Sequence, residues 1–306
     1  MGWLARVGYG VCVATVAAGL VAPPATAAPS SPDASQASTC RHVFLAPHQD
    51  DEVLTLGAAI RSRVEKDGPR SVCLALFRTG ERSSVRVRFG GRGFVPAGRT
   101  TPYVNERIAA STKLFRVARD REFLAAAKAL GVPAANTYLD ILPGWRRIPD
   151  WNSPDRIDEI RSGADRFVDA TIARFGPDAA YATTSDVDPS PDHRALGRAL
   201  RDRADNVRSV AFYYPQYQLS LLRSGVDLSV ESATGSSALR RAAAEYGVFR
   251  PAAGRYGIGW LSAARAFGAQ AFGVKIWGAT GWTSSTPFAA RRDRSFLTTL
   301  RSYRHS

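Results

Sequence analysis

Histidine, cysteine and methionine are scarce in this 306-residue chain, which holds four histidines, three cysteines and one methionine. Imidazole chemistry must therefore draw on His42, His48, His193 and His305. Cys12 lies in an apolar N-terminal stretch, which leaves Cys40, just before the first predicted strand, and Cys73, inside the second. In an oxidising compartment these two either pair or persist as buried thiols, and sequence without geometry does not choose. There is no internal repeat, and beyond the N-terminus no apolar run that would span a membrane. No basic run is interleaved with aromatics, so no nucleic-acid platform is indicated despite a formal charge of +14. Gly90-Gly91-Arg92-Gly93 lacks the preceding strand, the following helix and the third glycine of a dinucleotide site, which excludes that motif.

Residues 1–27 carry one charged residue, Arg6, then an apolar segment over 7–22 and the small-residue site Ala25-Thr26-Ala27. This pattern predicts a secretory signal cut after Ala27, hence a secreted, extracellular protein with no stable membrane span. Cleavage removes Arg6 and takes the charge from +14 to +13. Arginine supplies nearly all of that charge; most of it reads as solvated surface, with capacity to attract an anionic substrate. Residues 28–40 have nothing to bury and predict a disordered linker. About 265 residues remain, enough for one large α/β domain with an extension.

The rest of the chain is organised around residues 42–60, HVFLAPHQDDEVLTLGAAI. Residues 42–46 form an apolar run closed by Pro47 and predict a strand buried on both faces, while residues 53–64 place apolar side chains at helical spacing. The chain thus turns from strand to helix across His48, Gln49, Asp50, Asp51 and Glu52. In an open parallel sheet that turn lies where ligands bind, and first-turn amides favour ionised carboxylates. An imidazole and two carboxylates so close together can hold a divalent cation and leave one carboxylate free. The same residues also read as an Asp50 N-cap, an acidic first turn and a loop histidine bonded to the backbone.

PHQDDEVL resembles the P-H-x-D-D-E variant of the A-H-P-D-D-E signature of the PIG-L/LmbE-like family of zinc-dependent N-acetyl-sugar deacetylases. Other segments match in order. Thr79-Gly80-Glu81 within RTGE follows the second predicted strand, 71–77, and is similar to the family's T-x-G-E. RDREFLAAAKALGV, residues 119–132, resembles its R-x-x-E…A-A-x-x-L-G-V helix, with Arg119 and Glu122 as an expected structural ion pair. Pro189-Ser190-Pro191-Asp192-His193-Arg194-Ala195-Leu196-Gly197 resembles H-P-D-H-x-A-x-G with Ser190 in the first histidine's place. A family P-D-G turn is replaced by Leu142-Pro143-Gly144, where Asp140 is the candidate to take over its contacts.

The resemblance implies an α/β, three-layer sandwich with a mostly parallel Rossmann-like sheet over residues 41–250, followed by a C-terminal extension, 251–306, packed on the same domain. It also implies a metal held by His48, Asp51 and His193, with Asp50 as catalytic base. Elimination supports that set: His42 sits about 20 Å along the strand from His48, His305 lies in the tail, and a three-ligand zinc site would then need two histidines and a carboxylate. Zn2+ is the expected cofactor, and the same donors accept Fe2+ or Mn2+. Ser190, Asp192 or an arginine of the long loop over 82–104 would contribute around the oxyanion. The implied reaction removes the N-acetyl group from an amino-sugar conjugate of N-acetylglucosaminyl type. Two rivals are a secreted carbohydrate-binding protein that has lost catalysis, motivated by Ser190, and a metal-dependent hydrolase of phosphate esters or nucleic acid, motivated by the charge. Trp260, Trp277 and Trp282 read either as a carbohydrate platform or, more simply, as core packing of the extension.

Overall fold

The computed structural model describes residues 40–78, 80, 85–86, 89, 102–141, 156–214, 226–232, 236–263, 266–267 and 298–304. The predicted signal, the linker up to residue 39, most of the loop over 82–104, Leu142-Pro143-Gly144, Trp277, Trp282 and His305 lie outside the described residues.

β1 (His42–Ala46) and β2 (Val72–Leu76) are buried at every position. Their side chains alternate between two cores, as period-two geometry requires. Phe44, Ala46, Leu74 and Leu76 enter one core with Ile60, Phe123 and Leu239, while Val43, Leu45, Cys73 and Ala75 enter the other with Phe167, Leu196 and Leu200. Helices thus cover both faces of the sheet, giving the three-layer α/β arrangement.

β3 (Thr137–Tyr138), β2, β1, β4 (Ala180–Thr184) and β5 (Ser209–Tyr214) form a parallel set in that order. β7 (Thr298–Arg304) is antiparallel to both β5 and β6 (Val226–Ser232), and it lies between them. The strand Thr298–Arg304, from the stretch read as an extension, is thus part of the sheet. The order 3-2-1-4-5 reverses between β1 and β4, which is where open parallel sheets place ligands.

Helix boundaries differ from the sequence expectation where side chains intervene. The helix predicted over 53–64 is two, α1 (Asp51–Leu54) and α2 (Gly57–Asp67). The amides of Thr55 and Leu56 both bond the Asp51 carbonyl, at 3.0 and 2.9 Å, and the Thr55 hydroxyl donates to Asp51 Oδ1 at 3.0 Å, which closes the first turn. The stretch 119–132 lies in the second of two helices, α3 (Pro102–Ala110) and α4 (Thr112–Leu130), which part where the Ser111 hydroxyl caps the second by accepting from the Leu114 amide. Gly131 ends α4 at φ 95°, as expected of its place in the sequence. α5 is Ile157–Phe175, and β3 is a two-residue strand that ends just before the Leu139-Asp140 stretch. α6 (Pro191–Arg201) lies against the end of β4, and a Cβ on Gly197 would come within 2.5 Å of the Asp186 amide nitrogen and 2.7 Å of the Thr184 carbonyl. The terminal glycine of the H-x-A-x-G pattern is there for this close approach.

Cys40 and Cys73 are joined as a disulfide that ties the start of β1 to β2 across a sequence separation of 33. Cys40, at the edge assigned to the linker, thus belongs to the core. Replacing both cysteines by serine is expected to lower unfolding stability by about 3–4 kcal/mol from loop-closure entropy, read by denaturant titration of the purified protein; an unchanged midpoint would remove the disulfide from the stability account. Among the described residues no helix is long and apolar enough to cross a membrane.

Candidate metal centre

The turn after β1 and the start of α6, which follows β4, bring His48, Asp51 and His193 together. His48 Nδ1 lies 3.5 Å from Asp51 Oδ2 and 3.3 Å from His193 Nε2, and His193 Nε2 lies 3.1 Å from Asp51 Oδ2. A tetrahedral centre with ~2.1 Å bonds has edges of ~3.4 Å between ligand atoms, so these three atoms fit one face of such a tetrahedron. Among the described residues they form the His/Asp group able to hold a metal ion.

Each imidazole has a carboxylate behind it. His48 Nε2 is 2.9 Å from Asp192 Oδ2, and His193 Nδ1 is 2.9 Å from Asp188 Oδ2. Donation of those N–H groups leaves the lone pairs of His48 Nδ1 and His193 Nε2 pointing to the shared centre, the arrangement that orients metal-binding histidines. Asp51 is oriented too, by the Thr55 hydroxyl on Oδ1 and by the His48 amide, 3.1 Å from Oδ2.

The electrostatics call for positive charge here. Burial opposes the imidazolium of His193, but the carboxylates of Asp188 and Asp51 outweigh it and push this group up to about 10. Burial likewise opposes ionisation of Asp51, yet His193 and His48 hold its carboxyl well below the usual carboxylate range. A divalent cation beside His193 Nε2 supplies the same charge, so the donor set fits a metal both in geometry and in sign.

Asp50 sits beside these ligands in an unusual backbone conformation, φ 141°. Its side chain makes no helix-capping bond, so the capping alternative does not describe it. The conformation is held from several sides. The Asp50 amide donates to Glu52 Oε2 at 3.0 Å, the buried Tyr246 hydroxyl donates to Glu52 Oε1, and Arg119 donates to the Gln49 carbonyl. Asp50 Oδ2 is 2.9 Å from the Ser262 hydroxyl and 3.4 Å from Arg119. Burial raises the Asp50 pKa, against the pull of Arg119. Burial also pushes Glu52 up to about 8, the Tyr246 hydrogen bond acting against it.

The remaining expected residues take definite places. Asp192 is fully buried, with Oδ2 engaged by His48 and Oδ1 3.4 Å from Arg78. A carboxylate there orients the His48 ring. Ser190 is the N-cap residue of α6; its hydroxyl makes no cap bond and its amide donates to Asp188 Oδ1 at 2.8 Å. Asp140 is exposed. His42 is held away from the site by Asp67, 2.9 Å distant, and Trp260 stacks on Phe267 against the core. Arg119 and Glu122 do pair, at 3.6 Å, but the same guanidinium reaches Asp50. Sequence reasoning missed the parts played by Asp188, Arg78, Glu52, Tyr246 and Ser262. Asp188 carried a usable signal, lying a short turn before His193 among clustered acids.

No curated protein sequence matches this chain. Solved structures do. The A40926 pseudoaglycone deacetylase Dbv21 is 17% identical, with 88% of this chain and 99% of that chain covered at a TM-score of 0.48. A deacetylase–teicoplanin complex from the teicoplanin biosynthesis pathway is 17% identical over 87% and 99% of the chains at 0.46. The N,N'-diacetylchitobiose deacetylase of Pyrococcus horikoshii is 16% identical over 76% and 80% at 0.35. The PIG-L family pattern, GlcNAc-PI de-N-acetylase, matches residues 43–204, a span that runs from β1 through both histidine-bearing turns and covers just over half of the sequence. The chain belongs to the PIG-L family of de-N-acetylases.

Proposed function

We propose that this protein is a zinc-dependent hydrolase that removes an N-acetyl group from an amino-sugar conjugate of N-acetylglucosaminyl type, and that it works outside the cytoplasm. The observation that carries the reading is the triangle of His48 Nδ1, Asp51 Oδ2 and His193 Nε2, with edges of 3.1–3.5 Å, beside the carboxylate of Asp50. Family membership supplies the amide-hydrolysing chemistry. The Cys40–Cys73 disulfide and the Ala25-Thr26-Ala27 site support an oxidising, extracytoplasmic location.

His48, Asp51 and His193 would hold the cation. Zinc held by them would supply Lewis-acid chemistry, lowering the pKa of water at the site towards ~7 and polarising the amide carbonyl. Asp50, next to the ligands and outside the triangle, accepts the proton of the attacking water and returns it to the departing amine. Water adds to the acetyl carbon, the C–N bond breaks, and acetate and a free amino sugar leave. Asp192 and Asp188 keep both imidazoles in the tautomer that presents a lone pair. Ser190 stands at the start of α6, at the place where the family pattern has a histidine.

Purified protein loaded with zinc should release acetate and free amine from N-acetylglucosaminyl conjugates, and a chelator should abolish release until zinc is restored. Mass spectrometry of the substrate measures both products. A zinc-loaded protein that binds such conjugates without cleaving them would establish the binding-protein alternative instead, and phosphate-ester cleavage would establish the other rival.

A further inference from the structure

The chain returns to the site after the family-matched residues 43–204 end. α8 (Ile258–Ser262) is fixed against α4 by a buried carboxylate: Glu122 accepts from the Ile258 amide at 2.7 Å and from the Gly259 amide at 2.9 Å, while Arg119 pairs with Glu122. Gly257 at φ 67° turns the chain into this helix. Gly259 has no room for a side chain, since a Cβ would collide with the Tyr246 ring and the Arg119 guanidinium. The Trp260 amide donates to the Tyr246 carbonyl at 3.2 Å, and the Tyr246 hydroxyl donates to Glu52, which holds the Asp50 amide. One buried framework of α8, Arg119, Glu122, Tyr246 and Glu52 therefore surrounds Asp50.

From this framework the Ser262 hydroxyl oxygen lies 2.9 Å from Asp50 Oδ2 and 2.6 Å from the Gly259 carbonyl oxygen, two acceptors that share its one proton. Arg119 approaches Oδ2 as well, at 3.4 Å. The Ser262 hydroxyl and the Arg119 guanidinium both lie against Oδ2, and together they set the rotation of the carboxylate. We propose that Ser262 is a positioning residue for Asp50, and that the C-terminal segment outside the family-matched region thereby completes the active site. The Gly259 carbonyl and the Glu122-held turn keep the hydroxyl in place; a serine there spans the gap to Asp50 that an alanine would leave open.

This inference rests on Asp50 being the base of the proposed deacetylation. The test uses zinc-loaded Ser262→Ala and Ser262→Thr beside wild type, with kcat, KM and zinc content measured on an N-acetylglucosaminyl conjugate. Ser262→Ala should lose about tenfold in kcat, the loss of one hydrogen bond to a charged group, with KM and zinc content unchanged, and Ser262→Thr should recover most of it. Should the alanine variant fail to fold, Ser262→Cys, of nearly the same shape with a weak donor, is read in its place. Unchanged kcat in the alanine variant, or equal losses with alanine and threonine, would overturn the positioning role while leaving the deacetylase reading intact. A zinc-loaded wild type with no activity would overturn the deacetylase reading itself, and with it the role given to Ser262.

Discussion

Asp50→Asn is expected to reduce deacetylation by about 10²–10⁴, the contribution of a general acid–base group, while zinc remains bound at the wild-type level. Asparagine keeps the shape of the side chain and still accepts hydrogen bonds from Ser262 and Arg119 through its carbonyl, but it cannot take a proton from water. The change adds no bulk, so the unusual backbone at position 50, φ 141°, is not altered by it. The Glu52 and Tyr246 contacts that hold this turn do not use the Asp50 carboxylate. Metal analysis and acetate release on the same preparation separate the two effects. Full turnover in Asp50→Asn would end the assignment of Asp50 as base; loss of zinc along with activity would make Asp50 a ligand.

His193→Ala should abolish both zinc binding and turnover. The imidazole lies between Asp51 and Asp188, two carboxylates that are almost wholly buried. Removing it takes away one of three ligand atoms and leaves two buried negative charges without their common partner, so the variant should also unfold more readily. Asp188→Asn is the milder companion. It weakens the hold on His193 Nδ1 while keeping the ligand, and an altered outer partner typically costs 10–100-fold in metal affinity. Competitive titration of zinc against a chelator measures both, and excess zinc should restore activity to Asp188→Asn but not to His193→Ala. Wild-type zinc affinity in His193→Ala would disprove the ligand set.

Much of this site was legible along the chain because its residues fall in two short runs. His48 to Glu52 follow a strand that is buried at every position, and Asp188 to His193 run into the first turn of a helix with a glycine where the backbone must pass closely. The scarcity of histidine did the rest, since only two of four imidazoles stand beside a strand end that carries carboxylates. The parallel sheet was legible for the same reason, through buried runs alternating with amphipathic helices. The break at Thr55 and Leu56 was not: apolar spacing continues across it, and the bonds that Thr55 and Leu56 make to Asp51 mark the interruption.

The residues that hold Asp50 lie far apart in sequence. Arg119, Tyr246 and Ser262 meet it through α4, the chain following α7 (Ser236–Glu245) and α8, at separations of 69 residues for Arg119 and 212 for Ser262. No local pattern encodes such a meeting, because each of these residues has an ordinary local explanation as a helix ion pair, a core aromatic or a loop serine. The same holds for the roles of neighbouring acids. Sequence by itself determined which groups stand at the ends of β1 and β4, and hence that a turn with donors able to hold a cation was present, because strand period and turn chemistry act over a few residues. Only the tertiary structure decided that Asp51 faces both histidines, that Asp192 and Asp188 stand behind them, and that Glu52 anchors the backbone, because those distinctions depend on which buried partner each carboxylate finds when distant segments pack.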